Sequence, residues 1–456
     1  MSDTTIVAQV TPQGNGGVYI VRISGKKSHR VSLDVLGKFL KPRYASYVKF
    51  FDVNSEVLDQ GIGIWFPAPN SYTGEDVLEL QGHGNSYIVK LLIKRILKIP
   101  GIRIARPGEF SERAFLNDKI DLTQAESIID LINASSESAV KASLKSLNGS
   151  FSDKIKNIIN KVVDIRVMLE SELNFSEEED LNINFKKKFL KKIKNIINCL
   201  DNLLCLSKNR KIIQNGIKVV IAGFPNTGKS SFFNLLSCKK FSIVTNIKGT
   251  TRDLIHNKIY FNKFLIELTD TAGIRRTQNK VEKIGISLAK KEIYKSEILF
   301  FLIDITKNKN DQLKKFFKFI QKLPSSITII LICNKIDLTN IPPHLSIYKN
   351  IHCIYMSIKK KIGLDIFIKY FKKILKKYNY DVCGENFFLA RQRHLEEIIL
   401  AKKELILGKK EWKKNKNYEV IAYFLQNAQN ALNRVTGKIF SRDILNKIFS
   451  RFCIGK

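Results

Sequence analysis

The sequence predicts a mixed fold, part α/β and part all-α, in which a doubly wound α/β domain interrupts a helical one. Three observations predict it. Strand-length apolar runs alternate with helical patterns over 217–380. Proline is absent from 108 to 224 and again after Pro343, where apolar residues recur at helical spacing. Residues 1–118 are instead rich in Gly, Pro, β-branched residues and turn signals.

In chain order, "GGVYIVRISG" (16–25) reads as a strand, and "PAPNSYTGEDVLELQGHG" (67–84) as a loop leading into a strand and a Gly-rich turn. These make 1–118 a mixed α/β domain. Ile155, Ile158, Ile159, Val162, Ile165 and Leu169 then mark a long amphipathic helix within a first helical part, 119–212. Over 213–380, "IKVVIAG", "FLIELTD", "ILFFLID", "ITIILIC" and "IHCIYMS" read as buried strands of a parallel sheet. Leu395, Ile398, Ile399, Leu405 and Ile406 restore the helical period in a second helical part, 381–456.

The chain has 456 residues, and its length alone suggests three domains. Its formal charge of +35 points to a polyanionic partner such as nucleic acid. The excess is mostly Lys, in runs such as "FKKKFLKKIKN" (185–195), and it accompanies abundant Ile, Asn and Phe. A basic surface set by base composition gives the same pattern. Seven scattered cysteines without a Cys-x-x-Cys pair argue against a disulfide framework or zinc site and fit a reducing cytoplasm. The apolar runs are too short for a membrane span, and "MSDTTIVAQV" lacks the features of a signal peptide. A cytoplasmic protein with no membrane partner is expected.

"GFPNTGKSS" (223–231) follows an expected strand and opens a helix, the context of a phosphate-binding loop. Gly223 and Gly228 let the backbone N–H groups of Asn226, Thr227, Gly228, Lys229, Ser230 and Ser231 turn toward phosphates. Lys229 is placed to reach the β- and γ-phosphates, and the Ser230 hydroxyl to bind Mg²⁺. "KGTTRD" (248–253) supplies Thr251 as a second hydroxyl for the metal. "DTAG" supplies Asp270 near that metal, then Thr271, Ala272 and the Gly273 N–H for the γ-phosphate. In "NKID", Asn334 and Lys335 precede Asp337, whose two acceptor oxygens match the ring N–H and exocyclic amine of guanine, so GTP is expected. Ser357, Ile358 and Lys359 would complete the base pocket through backbone N–H groups; Ile358 stands where related proteins usually carry Ala. After Gly273, where many such proteins place a water-orienting glutamine, stands Ile274. Arg252, Arg275, Arg276 and Glu282 are the polar residues nearby, and Glu282 reads equally well as an exposed helix-start carboxylate.

With these motifs, "TIVAQVTPQGNGGVYIVRISG" (5–25), "LELQGHG" (78–84), "ARPGEFSERAFLNDKIDLTQAESIIDLINASSE" (105–137) and the terminal "FCIGK" (452–456) resemble the MnmE (TrmE) family of tRNA modification GTPases over essentially the whole chain. The resemblance implies an N-terminal domain similar to folate-dependent aminomethyltransferases, a helical domain, and a Ras-like P-loop GTPase domain inserted into it. It also implies a K⁺ ion beside the phosphates, held by Asn226 and by switch oxygens of Thr245, Ile247 and Thr250, within a segment that includes Asn246, Lys248 and Gly249. That ion would do the work of an arginine finger. Glu282 matches the family's water-orienting glutamate. Arg22, Glu79, Lys119 and Lys456 match positions near a 5,10-methylene- or 5-formyl-tetrahydrofolate at a homodimer interface. Cys453 reads either as a nucleophile toward uridine or as a packing residue.

The implied activity is potassium-dependent GTP hydrolysis. It would be coupled, with the FAD-bearing partner MnmG (GidA) in a heterotetramer or larger complex, to carboxymethylaminomethyl or aminomethyl transfer to the wobble uridine of tRNA. Two rivals are an Era- or Der-like ribosome-assembly GTPase and a folate-sensing regulator that retains only GTPase activity.

Overall fold

The computed structural model describes residues 4–174, 183–207, 216–237, 256–261, 264–270, 291–378, 388, 390–414, 417–439 and seven positions from 445 to 455. Its contacts group the chain into two compact units. Met1–Asn133, Ala142–Cys205 and Phe388–Lys456 form one; Ala134–Lys141 and Leu206–Phe387 form the other.

The first unit begins with six strands: β1 (Thr5–Gln9), β2 (Val18–Ser24), β3 (Ser46–Phe51), β4 (Val57–Phe66), β5 (Val77–His83) and β6 (Ile102–Ile104). They form one sheet in the order β3-β4-β5-β2-β1-β6, antiparallel except where β6 joins β1. Alternation along β2 buries Tyr19, Val21 and Ile23 with helices α1 (Ser28–Leu36) and α2 (Ser86–Leu97). The same alternation puts Arg22 on the other face, directly opposite Glu79 of β5. The sequence expected β2 and β5. It did not distinguish β3 and β4, whose exposed positions include Tyr47, Lys49 and Gln60 and whose second strand is interrupted by Gly61 and Gly63.

Helices α3 (Glu109–Leu116), α4 (Leu122–Ile132), α6 (Ser150–Asn174) and α7 (Ile183–Ser207) follow, with α5 (Glu137–Leu147) between α4 and α6. Asp121 and Gln124 close a reciprocal capping box at the start of α4. On α6 the residues Ile155, Ile158, Ile159, Val162, Ile165 and Leu169 are all buried, as their spacing implies.

The second unit carries β7 (Ile217–Gly223), β8 (His256–Phe261), β9 (Phe264–Asp270), β10 (Ile298–Asp304), β11 (Thr328–Asn334), β12 (His344–Tyr348) and β13 (Ile351–Met356), with α8 (Lys229–Ser237), α9 (Lys309–Ile320) and α10 (Leu364–Lys377). The sheet order is β12-β13-β11-β10-β7-β9-β8. The five central strands are parallel and the two edges antiparallel. Every residue of β10 is buried: Ile298, Phe300 and Leu302 enter one core, Leu299, Phe301 and Ile303 the other. A strand covered on both faces has no polar side to show, which is why it reads as a continuous apolar run.

The chain then returns to the first unit with α11 (Gln392–Lys414) and α12 (Tyr418–Thr436), packed together. Ile398, Ala401, Leu405 and Trp412 on one face Ile421, Leu425, Ala428 and Leu432 on the other, at spacings of three, four or seven.

Candidate nucleotide site

Three strand ends of the parallel sheet deliver the residues of this site, the usual place for ligands in an open α/β sheet. β7 runs into Gly223, whose φ of 153° and close approach to Leu302 exclude a side chain: a Cβ would lie 2.4 Å from the Leu302 carbonyl oxygen. Gly228 is under a similar constraint. Its φ is 97°, and a Cβ would sit 2.6 Å from Asn334 Nδ2. Between them Asn226 takes a left-handed φ of 60°. The loop thus turns sharply before α8 opens at Lys229.

Hydrogen bonds tie this loop to the ends of β11 and β13. Asn334, 4 % exposed, donates from Nδ2 to the Thr227 carbonyl (2.8 Å) and accepts at Oδ1 from the Ile358 N–H (3.0 Å). One side chain thereby joins three separate segments. The N–H of Ile358 is engaged by Asn334 rather than left for a ligand. Its isoleucine side chain is itself buried in the core, which accounts for an apolar residue larger than Ala at this position. Within the loop, Thr227 Oγ1 and Lys229 Nζ both donate to the Phe224 carbonyl, at 2.8 and 2.7 Å.

The result is a cavity of about 860 Å³ lined by Pro225, Asn226, Gly228, Lys229, Ser230, Ser231, Asn334, Lys335, Asp337, Leu338, Ile358 and Lys359. It is ample for a nucleotide. At one end it offers a glycine loop and a helix start, which suit phosphate. At the other lies the Asp337 carboxylate on the short turn Ile336–Leu338, which suits a base edge with two donors. Ser357 is fully buried and accepts the Lys360 N–H at its Oγ (3.1 Å). Asp270 ends β9, 4 % exposed, with Ile221 of β7 as its register partner.

Sequence reasoning missed Asp304, the last residue of β10. It is 1 % exposed and accepts from Lys335 Nζ at 2.5 Å and from Thr306 Oγ1 at 2.6 Å. Burial works to raise its carboxyl, but the hydrogen bonds from Lys335 and Thr306 outweigh that and hold it below the usual carboxylate range. Thr245, Asn246, Ile247, Lys248, Gly249, Thr250, Thr251, Thr271, Ala272, Gly273, Glu282 and Lys456 lie outside the described residues.

The first unit holds a second cluster. Arg22 Nε donates to Glu79 Oε1 at 2.7 Å, and the guanidinium carbon lies 5.1 Å from the Tyr72 ring centroid and 5.7 Å from that of Phe110. Tyr72 hydrogen-bonds Ser111 at 2.8 Å. Lys119 packs over Gly74 and lines a separate cavity of about 430 Å³ with Asp118, Asp121, Lys156 and Lys438. Cys453 is exposed, and its carbonyl accepts the Gly108 N–H at 3.3 Å.

Comparison with known proteins gives this architecture a family. Residues 5–119 match the model of the GTP-binding protein TrmE N-terminus, and residues 122–453 that of the MnmE helical domain. Among solved structures, the chain is similar to the G domain of the Thermotoga maritima FeoB iron transporter, at 21 % identity over 36 % of this chain and 99 % of that one, TM-score 0.25. It is also similar to an Aquifex aeolicus Era variant bound to GDP and AlF4−, at 25 % identity over 42 % and 67 %, TM-score 0.25. A third is a GTP-binding protein from Sulfolobus solfataricus in complex with GDP, at 18 % identity over 61 % and 80 %, TM-score 0.27. The two family matches together run from residue 5 to residue 453, and the chain belongs to the MnmE (TrmE) family of GTP-hydrolysing tRNA modification proteins.

Proposed function

We propose that this GTPase depends on potassium and acts on the wobble uridine of tRNA together with a flavoprotein of the MnmG (GidA) type, using a tetrahydrofolate one-carbon unit to form a 5-carboxymethylaminomethyl or aminomethyl group. The observation that carries the nucleotide half is the cavity in which Asn226, Lys229, Ser230 and Asp337 meet. In this reading 213–380 is the GTPase domain, 1–118 the folate-binding and dimerising domain, and 119–212 with 381–456 the helical domain. The protein works as a cytoplasmic homodimer.

Lys229 binds the β- and γ-phosphates, and its present bond to the Phe224 carbonyl is one that phosphate oxygens would replace. Asn334 keeps the phosphate loop and the segment at Ile358 in register, and Asp337 selects guanine. Ser230, with Thr251, would hold Mg²⁺. Asn226 suits a monovalent cation: it lines the cavity from a left-handed position in the loop, and an amide is a hard neutral donor of the kind K⁺ takes. A bound K⁺ supplies one positive charge where the phosphate gains negative charge. Thr245, Ile247 and Thr250 would complete that cage, while Glu282 orients water. Arg22 and Glu79 fit a pterin with its attached carboxylates: a guanidinium for anionic oxygen, a carboxylate for a guanidine-like edge, and two aromatic rings alongside. Lys119, Lys456 and Cys453 are assigned to the same functional region, Cys453 in a supporting role.

Two measurements test this. GTP turnover should be at least tenfold faster in potassium than in sodium, and Asn226→Ala should remove the difference; equal turnover in both salts ends the potassium reading. Mass spectrometry of tRNA nucleosides from a deletion strain should show the wobble uridine modification missing. Unchanged nucleosides would leave only the GTPase.

A further inference from the structure

We propose that Asp304 is a positioning residue of the nucleotide site, setting guanine-nucleotide affinity by fixing Lys335 against the wall of the base pocket. The inference rests on the reading of Asn334, Lys335 and Asp337 as that pocket, and it adds a residue from a different strand.

The geometry is specific. β10 and β11 are parallel neighbours, and their register pairs Asp304 with Asn334. The carboxylate is therefore delivered beside the residue that precedes Lys335. Lys335 adopts a left-handed φ of 73°, unfavourable for a residue with a Cβ, between the buried Asn334 and the turn that carries Asp337. Its ammonium reaches Asp304 Oδ2 at 2.5 Å, while its side chain remains 32 % exposed and lines the cavity. The ammonium is thus anchored beneath the pocket and the aliphatic stem forms its wall.

Asp304 is itself held on several sides. Oδ1 accepts from the Thr306 N–H (3.1 Å) and hydroxyl (2.6 Å). The Gln312 side chain clasps the Asp304 backbone, accepting its N–H at 3.1 Å and donating to its carbonyl at 2.7 Å. Among the described residues, Lys335 is the one charged partner of this buried carboxylate. The Leu338 N–H donates to the Lys335 carbonyl at 3.1 Å, and the ion pair with Asp304 fixes the far end of the same residue.

The test is GDP affinity by calorimetry and GTP turnover of the full-length protein. Asp304→Asn should weaken GDP binding and raise the GTP KM by on the order of tenfold, with kcat at saturating GTP within twofold of wild type. In a Lys335→Met background the same substitution should change neither value further, because its effect runs through that lysine. Additive losses, or a fall in kcat with KM unchanged, would overturn the assignment. Should Asp304→Asn fail to fold, Thr306→Val removes one hydroxyl donor and keeps both charges. It should raise the GTP KM about threefold, and an unchanged KM there counts equally against the proposal. Asp337→Asn separates this from the pocket reading: its amide donor should shift preference from GTP toward xanthosine triphosphate. If that shift is absent the pocket is misassigned; if it occurs while Asp304→Asn leaves affinity untouched, only the role of Asp304 fails.

Discussion

At the scale of single residues, a cluster of buried charge lies in the first unit, where α4 meets the start of α11. Glu126, 3 % exposed, accepts from His394 Nε2 at 2.6 Å and from Arg393 at 3.0 Å. Arg391 bonds Asp130 at 3.0 Å and the Glu126 carbonyl at 2.8 Å. The Arg391 N–H donates to His394 Nδ1 at 3.1 Å, so the imidazole is neutral with its proton on Nε2, pointed at the carboxylate. Burial holds His394 below the ordinary histidine range, against the pull of Glu126. Glu126 is held far below the usual carboxylate range: burial opposes its charge, but His394, Arg393 and Arg391 more than compensate.

Both shifts make acid destabilising. Unfolded, His394 takes a proton as pH falls through about 6.5 and Glu126 below about 4.3, whereas the folded chain resists both. Glu109, lowered to about 2 by Arg103 and the Arg106 N–H in spite of its burial, adds stability that is present above the ordinary carboxylate value and lost as pH falls toward about 2. The urea midpoint of the unit should therefore drop from pH 7 to pH 5 and again toward pH 3. Glu126→Gln should remove about 3 kcal/mol at pH 7, because it takes away the buried charge that Arg393 and His394 bond. It should also flatten the lower part of the pH dependence; a midpoint that holds steady on acidification would show the cluster to be energetically idle.

At the scale of elements, a tight constraint on the nucleotide site is the turn that leaves β7. Gly223→Ala would drive a Cβ toward a backbone carbonyl of β10, an atom that cannot rotate away, at a φ that only glycine adopts readily. The expected result is a loss of at least about 2 kcal/mol in the second unit, with nucleotide binding lost in parallel, read by thermal unfolding with and without GDP. The same turn shows what the sequence could say. Glycine spacing around a lysine and serine is a local signal, so the phosphate loop was legible. So were β10 and β11, because strands buried on both faces must be apolar throughout, and α6, because one packed face imposes a 3.6-residue period. β12 was not. Its Leu345 and Ile347 are 41 and 64 % exposed, so its apolar residues mark an edge strand's outer side instead of the core. Asp304 was invisible for a different reason. Its partner stands thirty-one positions away and is brought near only by the register of two parallel strands, which no local pattern encodes.

At the scale of the whole molecule, the charge of +35 has to be reconciled with a fold that buries its carboxylates. Several acids are spent on internal partners: Glu109, Glu126, Asp130 and Asp304 are each at most 5 % exposed and paired. The lysines are on the outside. On α10, Lys369, Lys372, Lys373, Lys376 and Lys377 fall on one exposed face opposite the buried Phe367, Phe371 and Ile374. Like charges at such spacing cost helix stability, so this arrangement is no gain for the fold by itself. A protein whose family modifies tRNA has a polyanion to meet such charge. We expect tRNA affinity to fall about a hundredfold between 50 and 200 mM salt, the loss that roughly four phosphate contacts produce, while GDP affinity, set inside a cavity, changes by less than threefold. Filter binding of tRNA across that range, with GDP calorimetry as the control, reads both. A shallow tRNA response would mean that the lysines only solvate the surface and that recognition resides in a few specific contacts.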